Sequence, residues 1–244
     1  MSIKRFSIRR IFSKELISIL LIEINRVLTD DHNYTILEDL NYSEDDLRLS
    51  KSVTDAWKRK KDKVAKDAIW FVPCFLKPFA GMNNILSIAS YLQSRGITQK
   101  FALIGDEEVC NLCEINFRKG EYGANLENVK IYKNPDLRHL AHADITFATR
   151  WDTAFYVLKF NNTNAKFYFI QDDERLLFPG TIFRDLVECT YRFGFIGITN
   201  ALELKYMYNK EFSGQVGYFS PAPNKAYFSI NRKQKTTIDS IWFY

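Results

Sequence analysis

Glycine is scarce in this chain. Its 244 residues include 10 glycines, about 4% against a usual ~7%. With 46% hydrophobic and 15% aromatic residues, that excludes a collagen-like or low-complexity chain and predicts a real core. Cysteine is scarce too. Cys74, Cys110, Cys113 and Cys189 are too few for a small disulfide-stapled scaffold. Cys110 and Cys113 form a lone CxxC with no second pair, and His32, His139 and His142 are not spaced to complete a zinc site. The thiols therefore read as reduced side chains packed as small hydrophobes, which fits a cytoplasmic protein.

Long apolar runs are missing as well. The best, Leu16–Ile22, is bracketed by Glu15, Glu23 and Arg26. It is far short of the ~20 residues of a membrane span, and no small-residue cleavage site follows it. Residues 13–28 read as an amphipathic helix. Neither GxGxxG nor GxxxxGK[ST] occurs, which argues against a nicotinamide or P-loop nucleotide site and against a bound cofactor.

Charge of one sign is also modest: 34 basic and 29 acidic residues leave a net +5, which does not imply nucleic acid. The basic residues cluster, however. Lys4, Arg5, Arg9, Arg10 and Lys14 interleave with Ile3, Phe6, Ile11 and Phe12, and Lys58, Arg59, Lys60, Lys61, Lys63 and Lys66 form a second run. Solvated helix faces account for both. The first cluster would also suit contact with an anionic membrane surface, so a peripheral position at the inner membrane face is the alternative.

What is present is a rhythm. Residues 1–66 read as a charged, helical extension. From residue 68 short apolar runs recur: Ala68–Phe75, Lys100–Gly105, Val129–Tyr132, Asp144–Thr149, Lys166–Gln171 and Phe195–Thr199. Several are apolar on both faces, as parallel strands covered by helices should be. Helix-length segments lie between them, with Gly96 and Gly194 just past helix ends and Asp152 and Thr181 at helix starts. The pattern predicts an α/β domain over 67–212 with a Rossmann-like, doubly wound parallel sheet. Residues 213–237 read as a linker, and 238–244 as the first strand of a further domain.

Ligands of such sheets bind beyond the carboxyl ends of the strands. Gly81, with Met82 and Asn83, opens the helix after the first run. Arg150, Trp151 and Asp152 follow the fourth run: a cation, an indole and a carboxylate that would suit a sugar, with Asp152 placed to act as a base. Gln171, Asp172 and Asp173 follow the fifth run. In the mostly apolar Tyr191–Phe195 stretch, Arg192 is the candidate for reaching a ligand. For each group the plain alternative is a turn, an N-cap or a packed side chain.

The succession Phe71–Phe75, Pro78–Gly96, Phe147–Val157, Phe167–Gly180 and Thr190–Thr199 resembles the N-terminal half of WsaF-like bacterial rhamnosyltransferases. Their order and spacing carry the resemblance, over roughly residues 66–244. It implies the acceptor-binding half of a GT-B glycosyltransferase of surface-polysaccharide synthesis. A C-terminal domain, in cis or in trans, would bind a nucleotide sugar, TDP-rhamnose, as substrate, without a metal. The acceptor would be an oligosaccharide or polysaccharide. The Gly81 loop matches the family's glycine-containing loop facing the cleft, and Arg150, Trp151 and Asp152, then Gln171, Asp172 and Asp173, match its strand-end segments; with Met82, Asn83 and Arg192 these are the candidate acceptor contacts, and Asp152 is the candidate base. The chain departs from the family at Asp173-Glu174-Arg175, where an aromatic and then Glu-Pro are usual. A chain without the donor half would be inactive alone. A non-catalytic carbohydrate-binding or interaction module is the other reading.

Overall fold

Trp70, Phe71, Phe101, Phe147 and Phe169 are all but inaccessible to solvent, and they lie on strands. The computed structural model describes residues 40–75, 80–118 and 129–220. Seven strands form one sheet: β1 Asp67–Pro73, β2 Thr98–Ile104, β3 Lys130–Lys133, β4 Ala143–Ala148, β5 Thr163–Ile170, β6 Ile196–Thr199 and β7 Val216–Tyr218. Their order is β3-β2-β1-β4-β5-β6-β7 and every neighbouring pair is parallel. This is a Rossmann-like α/β fold. The winding direction changes between β1 and β4, which opens a crevice at their carboxyl ends.

Parallel neighbours need crossovers, and the helices supply them. They are α1 Glu44–Arg59, α2 Ala80–Ser94, α3 Glu107–Arg118, α4 Trp151–Lys159, α5 Ile182–Tyr191 and α6 Leu202–Phe212. One apolar cluster joins Trp70, Val72 and Phe101 to Met82 and Leu86 of α2 and Cys113 of α3. The other joins Ile69 and Phe71 to Phe155 of α4, Val187 of α5 and Tyr208 of α6. The two clusters lie on opposite faces because alternate strand residues point opposite ways. Trp70 anchors the first: its indole stacks on Phe147 with ring centroids 3.9 Å apart. Its Nε1–H donates to Gln99 Oε1 at 2.7 Å, so the buried donor is satisfied.

Three expectations change. First, the charged extension is not separate. α1 starts on a capping box, with Asp46 N–H donating to Ser43 Oγ and Ser43 N–H to Asp46 Oδ2, and it packs against β5 and α4. Second, the sheet continues past residue 212. β7 pairs with β6 inside the stretch expected to be a linker, because Gly214 lets the chain turn tightly over Tyr208: an added Cβ there would lie 2.1 Å from the ring. Third, the thiols are not all reduced. Cys74, just past β1, and Cys110 of α3 form a disulfide with Cα atoms 5.0 Å apart. The two are 36 residues apart in sequence, and packing α3 beside the end of β1 brings them together. Residues 1–39, with the basic N-terminal cluster and the helix expected at 13–28, and residues 221–244, with the strand expected at 238–244, lie outside the described residues. Among the described residues no helix is long and apolar enough to cross a membrane.

Candidate functional site

The crevice between β1 and β4 is bordered by the first turn of α2 and by the loops that follow β4 and β5. Gln171, the first residue after β5, reaches across the end of β4 to the first turn of α2. Its Nε2–H donates to the Gly81 carbonyl at 3.0 Å, and its Oε1 accepts from Asn84 Nδ2 at 3.0 Å. Two segments singled out separately in the sequence, Gly81 and Gln171, are thus joined by one side chain. Asn83 lies on the exposed side of that turn, while Met82 is buried in the core. Met82 therefore packs α2 onto the sheet and does not face a ligand.

After β4 the chain enters α4 through a local knot of hydrogen bonds. Thr153 Oγ1 accepts from the backbone N–H groups of Thr149 and Arg150, both at 3.0 Å. This turns the backbone so that Arg150 and Asp152 face each other. Arg150 Nε donates to Asp152 Oδ1 at 2.7 Å, and Nη2 pairs with Oδ2. Asp152 is 1% exposed and also accepts from Thr153 N–H at 2.8 Å. The expected free base is thus a carboxylate enclosed in a two-pronged ion pair. Trp151 is corrected in the same way. Its indole is buried, edge-on to Phe178 and Phe183, so it is part of the core and not a platform for a sugar.

Glu174 is the residue that sequence reasoning passed over. It opens the 3-10 turn Glu174–Leu177. Its Oε2 accepts from Trp151 N–H at 2.8 Å and from Tyr168 Oη at 3.2 Å, and its own N–H donates to Tyr191 Oη at 3.3 Å. Burial, and then the charge of Asp152, push its carboxyl from an ordinary 4.5 to about 8, against the pull of Arg150. Two carboxyls share one guanidinium, so the group keeps a proton at neutral pH. Burial, with Glu174 beside it, also holds the Tyr168 phenol well above its ordinary value. The signal available in the sequence was the departure at Asp173-Glu174-Arg175. It did not show that Glu174 reaches Trp151 and Tyr168 while Asp173 and Arg175 pair with each other.

The other acids behave differently. Asp172 is exposed at the loop's outer side. Asp173 caps the 3-10 turn and holds Arg175, with Nε to Oδ1 and Nη2 to Oδ2 both at 2.8 Å. Arg175 Nη1 donates onward to Glu211 Oε2 at 2.8 Å, which ties this loop to α6. Arg192 does not join the crevice. It caps the C-terminus of α5, which leads to the amino end of β6, and it pairs with Glu188 at 2.7 Å.

Glu174, Arg150 and the buried Asp152 thus form a partly buried acid–base group, and Asn83, Gln171 and Asp172 supply amides and a carboxylate at the edge. Amides and carboxylates match the donors and acceptors of sugar hydroxyls.

No protein-family model matches the chain. O-antigen biosynthesis protein RfbC of Myxococcus xanthus is 31% identical over 198 residues, a match covering 76% of this chain. The chain is similar to an O-antigen biosynthesis protein. It spans about 15% of that relative's length. A likeness to RfbC over three quarters of the chain cannot rest on a single motif.

Proposed function

We propose that this chain works in polysaccharide biosynthesis as the acceptor-binding, N-terminal half of a GT-B glycosyltransferase. That enzyme transfers rhamnose or a similar sugar from TDP-rhamnose or a related nucleotide sugar. The observation that carries the proposal is the polar crevice at the winding switch, where Gln171 bridges to Gly81 beside the Arg150–Asp152–Glu174 group. The likeness to an O-antigen biosynthesis protein supports the same chemistry.

In this reading Asn83, Gln171 and Asp172 hold the acceptor glycan. Asp152 orients Arg150, and Glu174, once ionised, takes up the proton of the attacking hydroxyl. A donor domain, in cis or in trans, supplies the nucleotide sugar. Catalysis between two domains needs both reactants positioned.

The test is transfer from TDP-rhamnose by the chain reconstituted with a donor domain. Asp152→Asn and Glu174→Gln are expected to lower transfer by about 10²-fold, measured below the melting temperature of each variant because Asp152→Asn also breaks a buried ion pair. The rate of the unsubstituted enzyme should rise toward pH 8 as Glu174 loses its proton, and Glu174→Gln should flatten that rise. Full activity in both variants would return the cluster to a purely structural role. Robust turnover by the isolated chain would overturn the two-domain reading. Binding of an acceptor glycan, with no transfer in the reconstituted enzyme, would favour a carbohydrate-binding module.

A further inference from the structure

Arg192 and Lys58, the first residue of the second basic run, are absorbed by nothing at the crevice, yet the fold brings them to one place. A cleft of about 190 Å³ opens at the opposite edge of the sheet, lined by Lys51, Lys58, Arg192, Gly194 and Ser213 among others. Gly194 precedes β6 and Ser213 precedes β7, so the cleft lies at the amino ends of these strands. Lys51 and Lys58 stand two turns apart on α1 and share a face.

Gly194 has φ +81° and no side chain, so the Lys51 stem lies across it, with Cγ 3.2 Å from the position a Cβ would take. That contact holds the ammonium at the cleft. On the other wall the Arg192 guanidinium covers the Phe212 ring at 5.0 Å. Beneath are the buried rings of Tyr191, Phe195 and Tyr208.

The compensation is incomplete. Asp55 pairs with Lys58 and Glu188 with Arg192. Among the described residues no carboxylate pairs with Lys51. Residues 51–66 hold seven basic side chains against Asp55 and Asp62, a local excess equal to the +5 of the whole chain. Lys51, which brings its charge to the cleft without a carboxylate partner among the described residues, is best offset there by an anion. At about 190 Å³ the cleft is smaller than the ~300 Å³ at which drug-sized ligand pockets begin, which selects a small oxyanion over a glycan or nucleotide sugar.

We propose that this cleft binds a phosphate group, with Lys51 as the principal ligand and Lys58 and Arg192 beside it. The phosphate is either free or the headgroup of an anionic lipid. The site is separate from the crevice and does not depend on the glycosyltransferase reading.

The experiment has two arms, both with the full chain. In one, inorganic phosphate is titrated calorimetrically. In the other, vesicles of phosphatidylglycerol or of phosphatidylcholine are sedimented with the protein. Saturable phosphate binding without sedimentation identifies free phosphate as the source. Sedimentation with phosphatidylglycerol alone identifies the headgroup. In whichever arm binds, Lys51→Glu should weaken binding about tenfold or more, Lys51→Arg should retain it, and Lys63→Glu, outside the cleft, should leave it nearly unchanged. No binding in either arm overturns the proposal. Equal losses from Lys51→Glu and Lys63→Glu overturn it too, because they mark a diffuse basic patch. Lys51 is exposed, so all three variants should keep the parent thermal melt.

Discussion

Lys166 shows how far a residue's neighbours can depart from its type. It is 0% exposed on a central strand, and among the described residues no carboxylate pairs with it, the nearest electrostatic influence being Asp46 of α1. Its Nζ donates to the Leu158 carbonyl and to Asn161 Oδ1, both at 2.8 Å, which places it at the carboxyl end of the α4 dipole. Burial nonetheless lowers its pKa from 10.5 to about 7. The unfolded chain keeps that proton up to 10.5, while the folded chain sheds it near 7. Between those values the unfolded chain binds more protons, so stability rises with pH, by at most about 1.4 kcal/mol per unit. Urea titrations between about pH 8 and 10 should show this rise, and Lys166→Met should remove it. An unaltered slope in the variant would assign the pH dependence to another group. Glu174 works in the opposite sense: its proton is held in the folded state up to about 8, so its contribution to stability is lost as pH rises through that value. Neither residue stood out in the sequence, because burial is set by segments distant in the chain.

At the scale of elements, the boundaries were legible where the local chemistry was strong. Gly96 and Gly194 adopt φ of +84° and +81°, as the helix ends they follow require. Thr181 is the N-cap of α5. Asp152, expected to cap α4, sits one residue inside it behind an Arg150 N-cap, and its Oδ1 accepts the Thr153 N–H that a capping side chain would take. What joins elements was not legible. The bridge from Gln171 to Gly81 spans 90 residues of sequence and exists only because β5, β4 and β1 are neighbours in the sheet. Gln171→Ala should cost about 0.5–1.5 kcal/mol and speed amide hydrogen exchange in the first turn of α2, leaving exchange in α5 unchanged. Unchanged exchange at Asn83 and Asn84 would show that the bridge does not brace the crevice.

The whole molecule rests on a sheet that is apolar on both faces. Trp70 is central to it, in register with Phe101 on one side and Phe147 on the other. Trp70→Ala should lower unfolding free energy by roughly 3–5 kcal/mol, read as a lower urea midpoint at constant slope. A loss under about 1 kcal/mol would mean that the cluster repacks. The chain by itself determined the class of fold, since runs apolar on both faces alternating with helix-length segments leave few solutions other than a covered parallel sheet. It also marked the strand ends where polar residues gather. Only the tertiary structure decided which of those residues face outward. Trp151, Met82 and Asp152 are drawn into packing or an ion pair, Glu174 is turned in to share Arg150, and Arg192 is carried to the opposite edge beside Lys51. The reason is physical: strand and helix periodicities are local and can be read in a line, whereas desolvation and charge pairing depend on neighbours that strand order alone brings together.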